Sequence, residues 1–329
     1  MVIAVSYHET VTKLQELSAP ARGPFDRPEW YALLCRDEAR PMIAYCILGQ
    51  REVALVLKRT DEGLESLTNW FTFAWRPLGD CERGLVALAS ALRKRSHRVT
   101  MSPVPDEDGS ASRLHAAFRE AGWLVFAERC DDNHVLPVGG RSFAQDGAKR
   151  PGRMRTTFKR KAKNVQIEIL DRFDEDAWAS YRAIYETSWK PQEERGDLLE
   201  AFARAEGQAG RIRLGLARHE GQTVAAQFWT VENGTAYIHK LAHREDAKHL
   251  SAGTTLSAAL FEHVIDRDGV ELVDFGTGSD SYKRDWMELN RPRFRLSCLD
   301  PRNPRAWPAI AKQFLRQMVT RLASIGVHR

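Results

Sequence analysis

IRLGLARHEGQTVAAQFWTVENGTAYIHKLAHRE (residues 212–245) divides into three runs at two turn signals, Glu220-Gly221 and Asn233-Gly234. Each run has strand length and strand-type alternation, so the segment reads as three antiparallel strands joined by tight turns. SAGTTLSAALFEHVIDRDG (251–269) follows with helical spacing, and VELVDFG (270–276) then gives a short apolar strand. Three hairpin-linked strands that cross through a helix into a fourth imply an α/β (α+β) fold, a mixed and mostly antiparallel sheet flanked by helices.

The chemistry-bearing residues cluster at two points of this frame. LVDFGTGSDSYKRDW (272–286) ends the fourth strand in a Gly-punctuated turn, placing Asp274, Asp280, Tyr282 and Lys283 at the strand's C-terminal end. Sites in sheets with helical crossovers collect there. A tight turn in which carboxylates satisfy backbone N–H groups is the structural alternative. In the strand before the crossover, alternation predicts Tyr237, His239 and Leu241 on one face and Lys240 on the other. His239 is a candidate base because imidazole titrates near neutrality. Gln227 and Trp229, one strand earlier, are candidate pocket walls. The second point is the start of the crossover helix. Ser251, Ala252, Gly253 and Thr254 leave its first N–H groups accessible to a phosphate, and Lys248 and His249 add positive charge.

Moving outward, RMRTTFKRKAKN (153–164) forms a basic helix with Arg153, Arg155, Lys159, Arg160 and Lys163 as candidate anion ligands, or else a solvated face. DEDAWASYRAIYETSWK (174–190) predicts an amphipathic helix carrying Trp178, Tyr181, Ile184, Tyr185 and Trp189. In the first half, PMIAYCILGQ and REVALVLKR predict a hairpin, and LESLTNWFTFAWRPL predicts another strand with aromatics on both sides. A helix near 81–95, a strand near 97–101, a helix at 112–121 and two strands, WLVFAERC and NHVLPV, complete that half. RSFAQDGAKRPG (141–152) reads as a loop-like junction, so the expected division is 1–145, 146–300 and a basic C-terminal helix at 301–329.

The net charge is +5, yet residues 149–163 carry eight basic and no acidic side chains, and residues 300–329 carry six basic and one acidic. Positive charge is therefore local, which argues for a polyanionic ligand or anionic surface at two places and against general coating of nucleic acid. The five cysteines are scattered without CxxC spacing, predicting reduced thiols and no metal centre. No apolar run is long enough to span a bilayer, and the N-terminus lacks the basic and apolar regions of an export signal. The expectation is a cytoplasmic protein. The tail PRAWPAIAKQFLRQMVTRLASI lines up Trp307, Ile310, Phe314, Leu315, Met318 and Leu322, with Lys312 and Arg316 opposite. It either docks on the body or lies peripherally on the inner face of an anionic membrane.

EGQTVAAQFW, the Tyr237 strand, SAGTTL and DFGTGSDSYKRDW, together with PFDRPEW and RMRTTFKRK, resemble the GNAT acyltransferase fold. The likeness is nearest to the Fem-like and CelD-type (cellulose-biosynthesis) group, which carries two GNAT-like halves; bacterial ceramide synthases belong to the wider group. The resemblance implies an N-acyltransferase using acyl-CoA or an acyl carrier protein thioester, with an amine of a lipid, such as a sphingoid base, or of an envelope glycan as acceptor. KHLSAG replaces the usual cofactor-turn pattern of that fold, so both thioester donors stay open. Direct attack needs a base, for which His239 and Asp274 compete, and an acid, for which Tyr282 is the candidate; Lys283 is placed to bind an anionic group. An aminoacyl-tRNA-dependent Fem-type transferase and an inactive module binding anionic glycan, lipid or RNA are the alternatives.

Overall fold

The computed structural model describes residues 3–36, 39–188, 195–278 and 282–326. The side chains of Lys159 and of residues from 320 onward lie outside the described set. The chain divides into two compact units, one of Met1–Asp131 with Pro292–Arg329 and the other of Asp132–Arg291.

The first unit begins with β1 (Ile3–His8), α1 (Pro28–Leu34) and the hairpin β2 (Pro41–Leu48) and β3 (Arg51–Thr60). There follow β4 (Gly63–Ser66), β5 (Leu78–Gly79), α2 (Glu82–Leu92), β6 (Arg98–Pro105), α3 (Ser110–Glu120) and the first residues of β7 (Leu124–Pro137). Strands β2, β3 and β4 pair antiparallel, and after α2 the chain returns as β6, parallel to β4 through Leu64↔Val99 and Glu65↔Thr100.

The second unit contains the end of β7, α4 (Phe143–Lys149), α5 (Gly152–Arg160), β8 (Gln166–Leu170), α6 (Glu175–Glu186) and α7 (Gly196–Gln208). Its central motif is β9 (Ile212–His219), β10 (Gln222–Glu232), β11 (Thr235–His243), α8 (Ala252–Glu262) and β12 (Leu272–Thr277). Turns at Glu220-Gly221 and Asn233-Gly234, all with positive φ, join the antiparallel strands as the sequence predicts. β12 returns parallel to β11. Consecutive residues of β10 face opposite helices: Trp229 meets Phe261 of α8, whereas Phe228 meets Trp178 of α6. The short α9 (Lys283–Trp286), β13 (Leu289–Leu299) and α10 (Trp307–Gly326) end the chain.

The division differs from the expected boundaries near 145 and 300. β13 pairs antiparallel with β6, and the end of β7 pairs antiparallel with β12. Each β-β-β-α-β repeat is thus completed by a strand that chain order would assign to the other. Three local expectations also change. Residues 67–77 leave the strand, because the Asn69 side chain accepts from the Phe71 N–H and from the Thr72 hydroxyl and so builds a turn. Trp75 is buried there with its indole N–H on the Val56 carbonyl, while Trp70 is exposed. WLVFAERC and NHVLPV join into the single strand β7. The expected junction holds the helix α4, started by a Ser142/Gln145 capping box and fixed by the buried Asp146–Arg150 pair.

Candidate functional site

Parallel pairing of β11 with β12 is brief: Thr235↔Leu272, Ala236↔Val273, Tyr237↔Asp274, and no further pair although both strands run on. The candidate site lies at this fork. Ala236, Ile238, Val273 and Phe275 belong to the core shared with α8, so Tyr237 and Asp274, which alternate with them, face the α6 side.

Asp274 is held firmly at the fork. The Asn133 amide N–H₂ donates to both carboxylate oxygens at 3.0 and 3.1 Å, and the Gly276 N–H donates to Oδ1 at 2.8 Å. Asn133 is fully buried and Asp274 nearly so. In the sequence Asn133 is marked only by an amide that, with His134, stands just before the apolar VLPV. Gly276 has φ +68°, so the backbone folds the N–H back toward the carboxylate in a conformation that favours glycine.

The simple alternation expected for β11 fails at His239. Phe228 pairs with Lys240 but Trp229 pairs with Ile238, so His239 is the extra residue of a β-bulge. The bulge turns His239 and Lys240 to the same side. The His239 ring stacks on Phe228 at 5.0 Å and meets Phe202 of α7 edge-on at 5.2 Å, with Nε2 2.8 Å from the Thr230 hydroxyl. The buried Lys240 reaches α6, its Nζ 3.4 Å from the Tyr185 hydroxyl and 5.1 Å above that ring. Tyr237 stands 6.4 Å from His239 with the rings nearly parallel. Lys240 is a second residue that strand periodicity hides.

Tyr282 and Lys283 lie on the other side of β12. Tyr282 packs on Phe275 at 5.7 Å, and the buried Lys283 ammonium donates to the Thr277 carbonyl and sits 5.5 Å over the Phe275 ring. Lys283 therefore ties the start of α9 to the last residue of β12. Asp280 lies outside the described residues. Gln227 and Trp229 are buried instead of lining a pocket: the Gln227 amide donates to the Gly253 carbonyl and the Ser257 hydroxyl, and the Trp229 indole N–H donates to Gln227 Oε1. Together they pin the first turn of α8 to the sheet.

At that first turn the two predicted basic features meet. Ser251 adopts φ +55° and precedes α8 without a side-chain cap, and no acidic residue occupies the first turn. Lys161, from the basic segment, donates to the Ser251 hydroxyl at 3.0 Å and to the His249 carbonyl at 3.1 Å. Sequence spacing could not select Lys161 from its neighbours. His249 bonds the Asp246 carbonyl, Lys248 pairs loosely with Glu245, and a Cβ on Gly253 would stand 3.4 Å from His243 Nδ1. Ala252 is buried, and Thr254 is half-buried on the first turn. Of the other basic candidates, Arg153 pairs with Asp285, whereas Arg155, Arg160 and Lys163 have no carboxylate partner among the described residues. The Lys159 side chain lies outside them. An uncapped helix start with a lysine lodged against it is chemically suited to phosphate groups.

Residues 141–284 match a family described as an acetyltransferase (GNAT) domain. No curated protein matches the chain in sequence. Among solved structures, FemX aligns with TM-score 0.63 at 10% identity, covering 91% of this chain and 98% of its own. The C-terminal domain of a putative lysylphosphatidylglycerol synthetase from Agrobacterium fabrum aligns with TM-score 0.57 at 12% identity, covering 85% and 90% respectively. A tandem GNAT protein of the clavulanic acid biosynthesis pathway aligns with TM-score 0.51 at 14% identity, covering 92% and 100%. The fold is the mixed α/β GNAT fold, and the domain match supports a transferase. Among the described residues, no helix is long and apolar enough to cross a membrane and no metal-ligating cluster occurs.

Proposed function

We propose that the chain is a Fem-like N-acyltransferase that moves an acyl group from a thioester donor to the amine of a lipid at a membrane surface. The observation that carries this reading is the fork: β11 and β12 part after Tyr237–Asp274, and the uncapped start of α8 with Lys161 completes an anion cradle in the same unit. An extended amide-bearing arm of a coenzyme A or carrier-protein thioester suits parted strand edges, because its amides can pair with backbone as an added strand does. Its phosphate suits the start of α8.

On this reading Asp274, oriented by Asn133 and Gly276, receives the acceptor's ammonium group and orients the amine freed from it. His239 or solvent carries that proton away; attack forms the C–N bond and breaks the C–S bond, the departing thiolate takes a proton from Tyr237 or Tyr282, and the amine's second N–H proton restores the tyrosine. The likeness in fold to a putative lysylphosphatidylglycerol synthetase domain favours a lipid acceptor, and a sphingoid base is the first such amine to try. An aminoacyl-tRNA donor is the second reading, favoured by the cluster of basic residues beside α8. Thiol release from acyl-CoAs of graded chain length, with lipid and glycan amines in turn, tests the proposal. Absence of amine-dependent release with every acyl-CoA and carrier-protein thioester, alongside transfer from aminoacyl-tRNA, would replace the donor assignment.

A further inference from the structure

The helix α10 of the first unit docks through one edge and leaves a broad apolar stripe outside. Ala306, Ala309 and Ile310 pack on Phe126 and Leu299, and Phe314 meets Phe126 edge-on at 5.4 Å. Trp307, Leu315, Met318 and Val319 nevertheless stay 54–65% exposed, each on or beside the helix face that carries Ala311. A stripe of this size on one helix marks an interaction surface. Lys312 and Arg316 flank it, and residues 301–329 contain no acidic side chain.

Beside this stripe the same unit holds a polar pocket of about 330 Å³, in which Lys58, Arg98, Arg295 and Arg316 face two carboxylates, Glu65 and Glu128. Arg98 is paired with Glu62 and Arg295 lies 3.6 Å from Glu128, while Lys58 has no carboxylate partner among the described residues. Arg316 and Glu128 also border the apolar surface over α10, so cationic pocket and apolar stripe adjoin.

We infer that this face of the first unit seats the protein on an anionic phospholipid surface, the α10 stripe entering the acyl boundary and a lipid phosphate occupying the cationic pocket. Three features select a bilayer. An exposed apolar stripe needs an apolar phase, which a soluble polyanion lacks. A two-fold contact between two copies of α10 offers Lys312 and Arg316 no counter-charge from the facing helix, which has no acidic side chain. Basic residues beside an apolar stripe match the charge of an anionic leaflet. The choice of a lipid surface rests on the lipid-acceptor reading above, whereas its test involves no turnover.

Flotation of the full chain with phosphatidylcholine vesicles, with and without a minority of phosphatidylglycerol, is the experiment. Binding should require phosphatidylglycerol and weaken in high salt. Lys58→Glu with Arg316→Glu should weaken it by about twentyfold or more, and Leu315→Glu with Val319→Glu should weaken it at least tenfold. Circular dichroism of each variant separates lost binding from lost fold. Equal binding to neutral vesicles, no binding at all, or a dimer in sedimentation that Leu315→Glu dissolves would each overturn the inference. If binding holds while no acyl transfer is found, the transferase reading alone fails.

Discussion

The two β-β-β-α-β repeats share a topology but differ at both points where chemistry is expected. In the second, the parallel ladder ends with Tyr237↔Asp274; in the first, the equivalent pair is Glu65↔Thr100. An aspartate anchored by a buried amide is thus replaced by a threonine whose hydroxyl accepts from Arg98. The crossover helices differ as sharply. α8 opens with small residues and Lys161 against its uncapped start, whereas α2 opens with Glu82, an acid that opposes an incoming phosphate. A Cβ on Gly84, in the first turn of α2, would stand 2.8 Å from Val53 and 3.0 Å from Cys81, whereas on Gly253 of α8 its nearest neighbour would be His243 at 3.4 Å. A shared backbone therefore carries different side chains at the two points: the second repeat has the anchored Asp274 and the uncapped start of α8, and the first has Thr100 and the acidic start of α2.

The largest break in this contrast should come from Asp274→Asn, which keeps the shape of the side chain and removes its charge. Turnover should fall about 10²–10³-fold with the fold intact by circular dichroism; a near wild-type rate would move the site away from the fork. Next, Gly84→Ala should destabilise by about 1–3 kcal/mol in denaturant unfolding, since its Cβ would stand 2.8 Å from Val53 Cγ1. Gly253→Ala, at 3.4 Å from His243 Nδ1, should be tolerated. Equal costs at the two glycines would erase the packing difference. Third, Lys161→Glu should raise the donor's KM about tenfold, whereas Glu82→Lys in the first repeat should leave it unchanged; steady-state kinetics with varied donor decide this.

The smallest expected effect concerns the return of the chain to the first unit. Burial alone would raise the Asp300 carboxyl, but the Arg93 guanidinium and the Arg302 N–H outweigh it and hold it below the usual carboxylate range. That contribution is present above the unfolded carboxylate pKa of about 3.9 and disappears as the pH falls through the lowered folded value. Asp300→Asn should therefore cost about 1–2 kcal/mol at neutral pH and nothing in strong acid, measured by thermal melting across pH. A deficit independent of pH would assign the loss to packing.

Much of the second repeat was legible because its signals are local. Alternating apolar residues, Glu220-Gly221 and Asn233-Gly234, and a helical run after SAG specify strands, turns and crossover within short windows. The bulge at His239 was not legible: alternation assigns Lys240 to the opposite face, and only the register against β10 reveals the extra residue. Asn133 was hidden because it meets Asp274 from a strand remote in sequence, and Lys161 because eight cations in residues 149–163 look alike until one of them touches Ser251. The loop at 67–77 was misread because its aromatics carry strand propensity, while the Asn69 side chain chose the turn.

The β-β-β-α-β motif, the small-residue start of α8, the local clustering of positive charge and the amphipathic tail are all written in short windows of sequence, because periodicity and turn chemistry act between near neighbours. Tertiary structure decided which strand completes each repeat, which cation reaches α8, how Asp274 is held and which side of α10 stays exposed. These depend on contacts between residues far apart in sequence, where packing and register fix which groups can meet.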